Sequence, residues 1–203
     1  MIFHSEPKKI LFIGAHTDDI ELSCGGTMAK LIADGHDVRC YVFSYCDNIQ
    51  LLLEFQRSMN VLRVKNYVLN TYDVRIMNYF RQKVLQDLFD YKESFVPDYI
   101  FTHDTADIHQ DHSTIGTETL RAFKFHNIFT YNHPWNGSFN PNFFVSFGNR
   151  ELDQKIEACQ QYESQAHRHY MSPEMIRTNS LYWTNNSPYN FFCEGFRVIN
   201  LYD

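Results

Sequence analysis

Four of the chain's ten histidines sit beside carboxylates in two short segments. The first is His16-Thr17-Asp18-Asp19. The second runs from His103 to His112 and interleaves His103, His109 and His112 with Asp104, Asp107 and Asp111. Neutral imidazole and carboxylate are good ligands for zinc and related divalent ions. A catalytic zinc needs three protein ligands and an open position for water, and His16, Asp19 and His112 would supply two nitrogens and one oxygen. The three-residue offset from His16 to Asp19 lets one turn aim both side chains at a point. Asp18 is then a spare carboxylate, near the metal but not on it, placed to take a proton from water. The same residues also have plain structural uses. Asp-Asp after a strand makes a turn or a helix N-cap, and His-Gln-Asp-His starts a polar helix capped by Asp111 or Ser113. Their joint occurrence at the ends of two buried-looking strands favours a shared metal site.

The elements that must position these segments read as follows. Ile10–Ala15 is a short apolar run of the kind a fully buried parallel strand shows. Met28, Leu31 and Ile32 predict a helix from about Gly26 to Asp34, closed by Gly35. Strands are predicted over Val38–Ser44, Tyr67–Leu69, Tyr99–Thr102, Asn127–Tyr131, Phe143–Phe147 and Phe191–Ile199. Helices are predicted over Gln50–Leu62, along the face Met77, Phe80, Val84, Leu85 and Leu88, from Ser113 to about Lys124, and through Leu152, Ile156 and Cys159. Asn132–Asn142 and Asn185–Asn190 read as loops. Strands alternating with helices predict a Rossmann-like three-layer α/β/α sandwich with a mostly parallel sheet, in one domain over residues 1–203. In such sheets ligands bind beyond the carboxyl ends of the strands, where both His/Asp segments fall.

Composition narrows the partners. The formal charge is −6 over 203 residues, which argues against nucleic acid or an anionic membrane as the main partner. The five cysteines form no CxxC pair, so reduced thiols are expected instead of a disulfide framework. No apolar stretch is long enough to span a membrane, and the chain reads as cytoplasmic.

Two segments, AHTDDIELSCGGTMAKL and THDTADIHQDHSTIG, resemble the signatures of the PIG-L/LmbE family of zinc-dependent N-deacetylases, AHPDDE and roughly D-x-H-P-D-H. Weaker matches are Glu54 before Val61-Leu62, the run Lys155, Ala158, Tyr162, Ser164 and Gln165, and Glu194-Gly195-Phe196. The resemblance implies zinc, or another divalent transition metal, on His16, Asp19 and His112, with Asp18 as general base. It implies that His109 stabilises the oxyanion or protonates the leaving amine, and that Asp111 tunes a neighbouring imidazole. The implied substrate is a small N-acetylated amino sugar or its conjugate, and a homo-oligomer is implied, which the 16% aromatic content would suit.

The chain departs from the pattern at four places. Thr17 and Gln110 replace prolines, Ile20 stands where Glu follows the Asp pair, and Leu51 stands where an Arg helps to hold substrate. The last change keeps open a related amidase acting on a non-sugar amide. A non-catalytic sugar- or metal-binding homologue is the other alternative, against which the retention of Asp18 and His109 argues. His103, Asp107 and the loop residue Trp135 are the candidates for substrate contact. Gly25-Gly26-Thr27 reads as a tight helix entry and not a phosphate loop. Ser23 and Cys24 have no nucleophile elbow around them. His167-Arg168-His169 reads as a solvated helix end.

Overall fold

The computed structural model describes residues 6–136, 139–184 and 191–202. Its strands are β1 (Lys9–His16), β2 (Asp37–Ser44), β3 (Asn66–Leu69), β4 (Tyr99–His103), β5 (Asn127–Tyr131), β6 (Phe143–Phe147) and β7 (Phe192–Asn200). Its helices are α1 (Asp19–Ala33), α2 (Ile49–Leu62), α3 (Arg81–Ser94), α4 (Gln110–Ala122), α5 (Asn149–Gln160) and α6 (Pro173–Tyr182). The sheet order is β3-β2-β1-β4-β5-β7-β6. The first five of these strands pair in parallel, and β7 is antiparallel to both β5 and β6.

The apolar run of β1 is continuous because both faces of the strand are covered. Ile10 and Phe12 join the core that contains Met28 of α1, Phe55 of α2 and Ala158 of α5. Leu11 and Ile13, pointing the other way, join Val84 and Leu88 of α3 and Ile115 of α4. The result is the α/β sandwich. After β1 the chain builds the sheet toward β2 and β3, then crosses back to place β4 on the other side of β1. The carboxyl ends of β1 and β4 therefore flank the switch point, where an open α/β sheet leaves a crevice.

Several predicted boundaries shift. Helix α1 starts at Asp19 and not near Gly26, so Gly25 and Gly26 lie inside it. The reason is close packing: a Cβ on Gly26 would run into the Phe147 ring. The Gly26 and Thr27 amides also donate to the Glu194 carboxylate. Helix α4 starts at Gln110, before the predicted Ser113, with His109 as its N-cap. The predicted face from Met77 to Leu88 breaks at Phe80, which is 41% exposed, because Met77–Phe80 is a 3₁₀ turn leading into α3. Helix α6 is absent from the sequence reading; Ile176 and Ser180 are its buried residues, too weak an apolar stripe to register. The described part of Asn132–Asn142 is irregular, and Asn185–Asn190 lies outside the described residues. All five cysteines are free thiols. Among the described residues, no helix is long and apolar enough to cross a membrane.

Candidate metal centre

β1 ends at His16, and one turn later α1 opens on Asp19. The His16 backbone N–H donates to Asp19 Oδ2 at 2.7 Å, which fixes the carboxylate against the strand end. Across the crevice, the loop after β4 ends at His109. The rings of His109 and His112 stack at 4.4 Å, as the three-residue spacing on a first helical turn allows.

His16, Asp19 and His112 converge. His112 Nε2 lies 3.3 Å from His16 Nδ1 and 3.4 Å from Asp19 Oδ1, and His16 Nδ1 lies 3.5 Å from Asp19 Oδ2. Donors at about 2.0–2.1 Å from one tetrahedral ion are about 3.3–3.4 Å apart; the two histidine nitrogens match that spacing, and each meets a different oxygen of the Asp19 carboxylate. The far nitrogen of each imidazole is held by a carboxylate. His16 Nε2 meets Asp111 Oδ2 at 3.1 Å, and His112 Nδ1 meets Asp107 Oδ2 at 3.0 Å. Such outer carboxylates fix the tautomer and aim of ligating histidines. Asp111 is itself held by the Arg75 and Met77 amides.

The structure gives His103 and Asp107 places behind these donors. His103 is fully buried, stacks on His112 at 4.1 Å, and accepts the Ala15 N–H on Nε2. Asp107 is buried, and it orients His112 while accepting the His109 N–H. Trp135 is 37% exposed at the mouth, between His133 at 4.4 Å and Tyr170 at 4.7 Å.

Two residues take places the sequence did not give them: His133, read only with Pro134, Trp135 and Asn136 as a loop for substrate contact or a structural turn, and Arg168. His133 is 1% exposed, and its Nε2 lies 3.1 Å from Asp19 Oδ1. Together Asp19, His103, His112 and His133 bring donor atoms within 4.8 Å of one another. The available signal was position: His133 follows β5 much as His16 and His103 end β1 and β4. Arg168 was read as part of a solvated helix end. Its guanidinium binds the Tyr170 hydroxyl, and its charge draws down the pKa of Asp18.

Electrostatics separates the roles. Burial and the adjacent Asp19 charge raise the Asp18 pKa above the usual carboxylate range. Burial alone would raise Asp19, but His112, His103 and His16 outweigh it and hold Asp19 well below that range. Burial opposes protonation of His16 and His112, yet the Asp19 carboxylate and the outer carboxylates raise them to about 9 and about 10. His109 goes the other way, down to about 4, through burial and the neighbouring His112 and His16. Its Nδ1 accepts the Asp111 N–H at 3.2 Å, so the neutral ring carries its proton on Nε2.

The later sequence matches form two buried staples. Glu54 accepts from the Ser164 amide and hydroxyl. Lys155 donates to Glu194 at 2.6 Å beneath α1. Glu21 takes hydrogen bonds from Ser58 and Tyr162, and burial lifts its pKa to about 8. Ile20, in the place of the usual Glu, is fully buried.

A mixed α/β sheet with a carboxylate ringed by imidazoles at its switch point defines a class, and known proteins of that class match this chain. The family model described as PIG-L, GlcNAc-PI de-N-acetylase, matches residues 11–123, and the chain belongs to that deacetylase family. An uncharacterized deacetylase of Escherichia coli K12, YaiS, is 30% identical over 177 residues, covering 77% of this chain and 91% of that protein. Two solved structures share the fold. The conserved protein TT1542 of Thermus thermophilus superposes with a TM-score of 0.78 at 24% identity, covering 97% of each chain. N,N'-diacetylchitobiose deacetylase of Pyrococcus horikoshii superposes with a TM-score of 0.74 at 18% identity, covering 96% of this chain and 84% of that one.

Proposed function

We propose that the chain is a metal-dependent N-deacetylase that releases acetate from an N-acetylated sugar or sugar conjugate. The observation that carries the metal is the convergence of His16 Nδ1 and His112 Nε2, 3.3 Å apart, on the Asp19 carboxylate. Zinc, or another divalent transition ion, would sit on these three residues. When bound, such an ion polarises the amide carbonyl and lowers the pKa of water.

The remaining steps belong to the chain's own groups. Asp18 stands at the N-cap position of α1 without making a side-chain cap hydrogen bond, so its carboxylate is free to take the water proton. His109 offers its Nε2–H to the developing oxyanion. A neutral imidazole donates that bond well but is a poor acid toward an amine, so oxyanion support is its main role. The proton taken by Asp18 is the one passed to the departing amine. Asp111 and Asp107 hold His16 and His112 in register. Trp135 and Tyr170 offer aromatic faces at the mouth, which suit the apolar face of a sugar ring. Arg168 lowers the Asp18 pKa by its charge, and it is a candidate cation for substrate contact in a chain whose position 51 is Leu. A protein that only bound metal or sugar would have no use for Asp18 beside its ligands.

The test pairs acetate release with metal content. The purified protein, supplied with zinc, is screened against N-acetylglucosamine, N,N'-diacetylchitobiose and N-acetylglucosamine 1-phosphate. Release from at least one, lost on chelation and restored by zinc, supports the reading; no release from any sinks it. His112→Ala should lose about one equivalent of zinc. Parental zinc affinity in that variant would mean the ligand set is wrong.

A further inference from the structure

His133 follows β5 and so arrives at the centre from a third strand. Its turn is tied down at both ends. The Asn136 amide donates to the His133 carbonyl at 3.0 Å, and Asn132 Nδ2 donates to the Asn136 carbonyl at 3.2 Å. The Ile108 amide donates to Asn136 Oδ1 at 3.2 Å, which joins the turn to the loop that carries His109. The His133 ring lies against Trp135, at 4.4 Å, and His112, at 4.7 Å between centroids. Backbone and ring plane are therefore set by the fold itself.

The ring so carefully placed is unspent. His133 is buried, and neither Nδ1 nor Nε2 has a hydrogen-bond partner among the described residues. Nε2 comes within 3.1 Å of Asp19 Oδ1, but off the direction of a hydrogen bond, so the approach does not brace the carboxylate. Buried polar atoms are seldom left unpaired. What surrounds Nε2 is a group of metal-ligating atoms: Asp19, His103, His112 and His133 each bring one within 4.8 Å of the others. His103 is already occupied, because its Nε2 accepts the Ala15 N–H at 2.9 Å. His112 Nε2 lies 3.4 Å from the same Asp19 Oδ1 that His133 Nε2 approaches. Two imidazole nitrogens thus crowd one carboxylate oxygen, and a shared cation would satisfy all three.

We propose that His133 is a fourth protein ligand of the ion at His16, Asp19 and His112, bound through Nε2. The proposal rests on the metal-dependent reading and deepens it. An ion with four protein donors admits water or a carbonyl oxygen by expanding to five-coordination, which catalytic zinc sites can do. The loop after β5 then holds the metal and does not merely cover it.

The experiment reads metal binding and needs no substrate. Zinc affinity is measured by chelator competition for the parent, His133→Glu and His133→Gln. Glutamate reaches about as far as histidine and brings a donor oxygen without an N–H; glutamine has the same length and an N–H, and its amide is a poor zinc ligand. A ligand at this position predicts that His133→Glu stays near parental affinity. It predicts that His133→Gln loses at least the roughly 10–100-fold that even an outer partner of a ligand costs. The opposite order would make His133 a hydrogen-bonding brace and overturn the proposal, as would parental affinity in both variants. Co2+ in place of zinc gives a second readout. Exchange of an imidazole nitrogen for oxygen at the ion should move the visible d–d bands of His133→Gln to longer wavelength, and unchanged bands also overturn the proposal. Melting of the chelated proteins checks the fold, and His133→Ala replaces His133→Gln if the latter melts early. Failure of the parent itself to bind zinc would refute the metal-dependent reading and this proposal together. A parent that binds zinc beside an unaffected His133→Gln would refute the fourth ligand alone.

Discussion

Asp18 and Asp19 are neighbours in sequence with opposite electrostatic fates. Asp19 faces four imidazoles that lower its pKa, while Asp18 is raised by burial and by Asp19 itself. In the proposed reading Asp19 is a metal ligand and Asp18 the base. Asp18→Asn should therefore keep its zinc and lose about 10²–10⁴ in kcat, the usual cost of removing a general base. Metal analysis beside kinetics checks this, and loss of zinc would put Asp18 among the ligands. His109→Ala should keep zinc and parental melting while kcat falls, by up to the roughly 3–4 kcal/mol that one oxyanion donor is worth. Early melting with normal turnover at low temperature would instead make His109 a brace for the loop it caps. His16, Asp18 and Asp19, and likewise His109, Asp111 and His112, were legible because each group is compact in sequence and mixes the right donor types. His133 and Arg168 were not, because each meets the others only through the fold.

At the scale of elements, strands were easier to read than helix starts. A strand buried on both faces declares itself as an apolar run, as Ile10–Ala15 does. A helix start is set by contacts the local sequence does not contain. The pattern pointed to Gly26 because Met28, Leu31 and Ile32 carry its apolar stripe, whereas the helix starts at Asp19, where the site is built. Glycine in α4 shows the same dependence on distant partners. Gly116 packs against β4 so closely that a Cβ would lie 2.5 Å from the His103 carbonyl oxygen. In a free helix Gly→Ala would gain up to about 1 kcal/mol. Here the obstacle is backbone and cannot swing aside, so Gly116→Ala should cost about 1–3 kcal/mol instead. It should also weaken zinc binding, because the displaced helix carries His112 and the displaced strand carries His103. Denaturant titration and zinc titration check the two halves. A variant as stable as the parent, with parental zinc affinity, would show that α4 is not seated by this contact.

For the molecule as a whole, the sheet brings together segments that share no local information. β1, β4 and β5 each end in or beside a histidine of the cluster, so the centre spans residues 16 to 133. The unfolded chain holds these groups far apart and has no comparable site. An ion that binds the native centre and not the unfolded chain stabilises by mass action, about 2.7 kcal/mol at one hundred times its Kd. For a chain of this length each kcal/mol moves the midpoint by about 2–4 °C, so saturating zinc should raise Tm by about 5–11 °C over the chelated protein. The rise should vanish in His112→Ala and persist in Asp18→Asn, since only the first removes a proposed ligand. Scanning calorimetry of the parent and both variants, each with and without zinc, decides the matter. An equal rise in the parent and in His112→Ala would place the ion elsewhere, on exposed histidines that any folded surface offers. A rise lost in both variants would draw Asp18 into the coordination and leave the centre without its spare base.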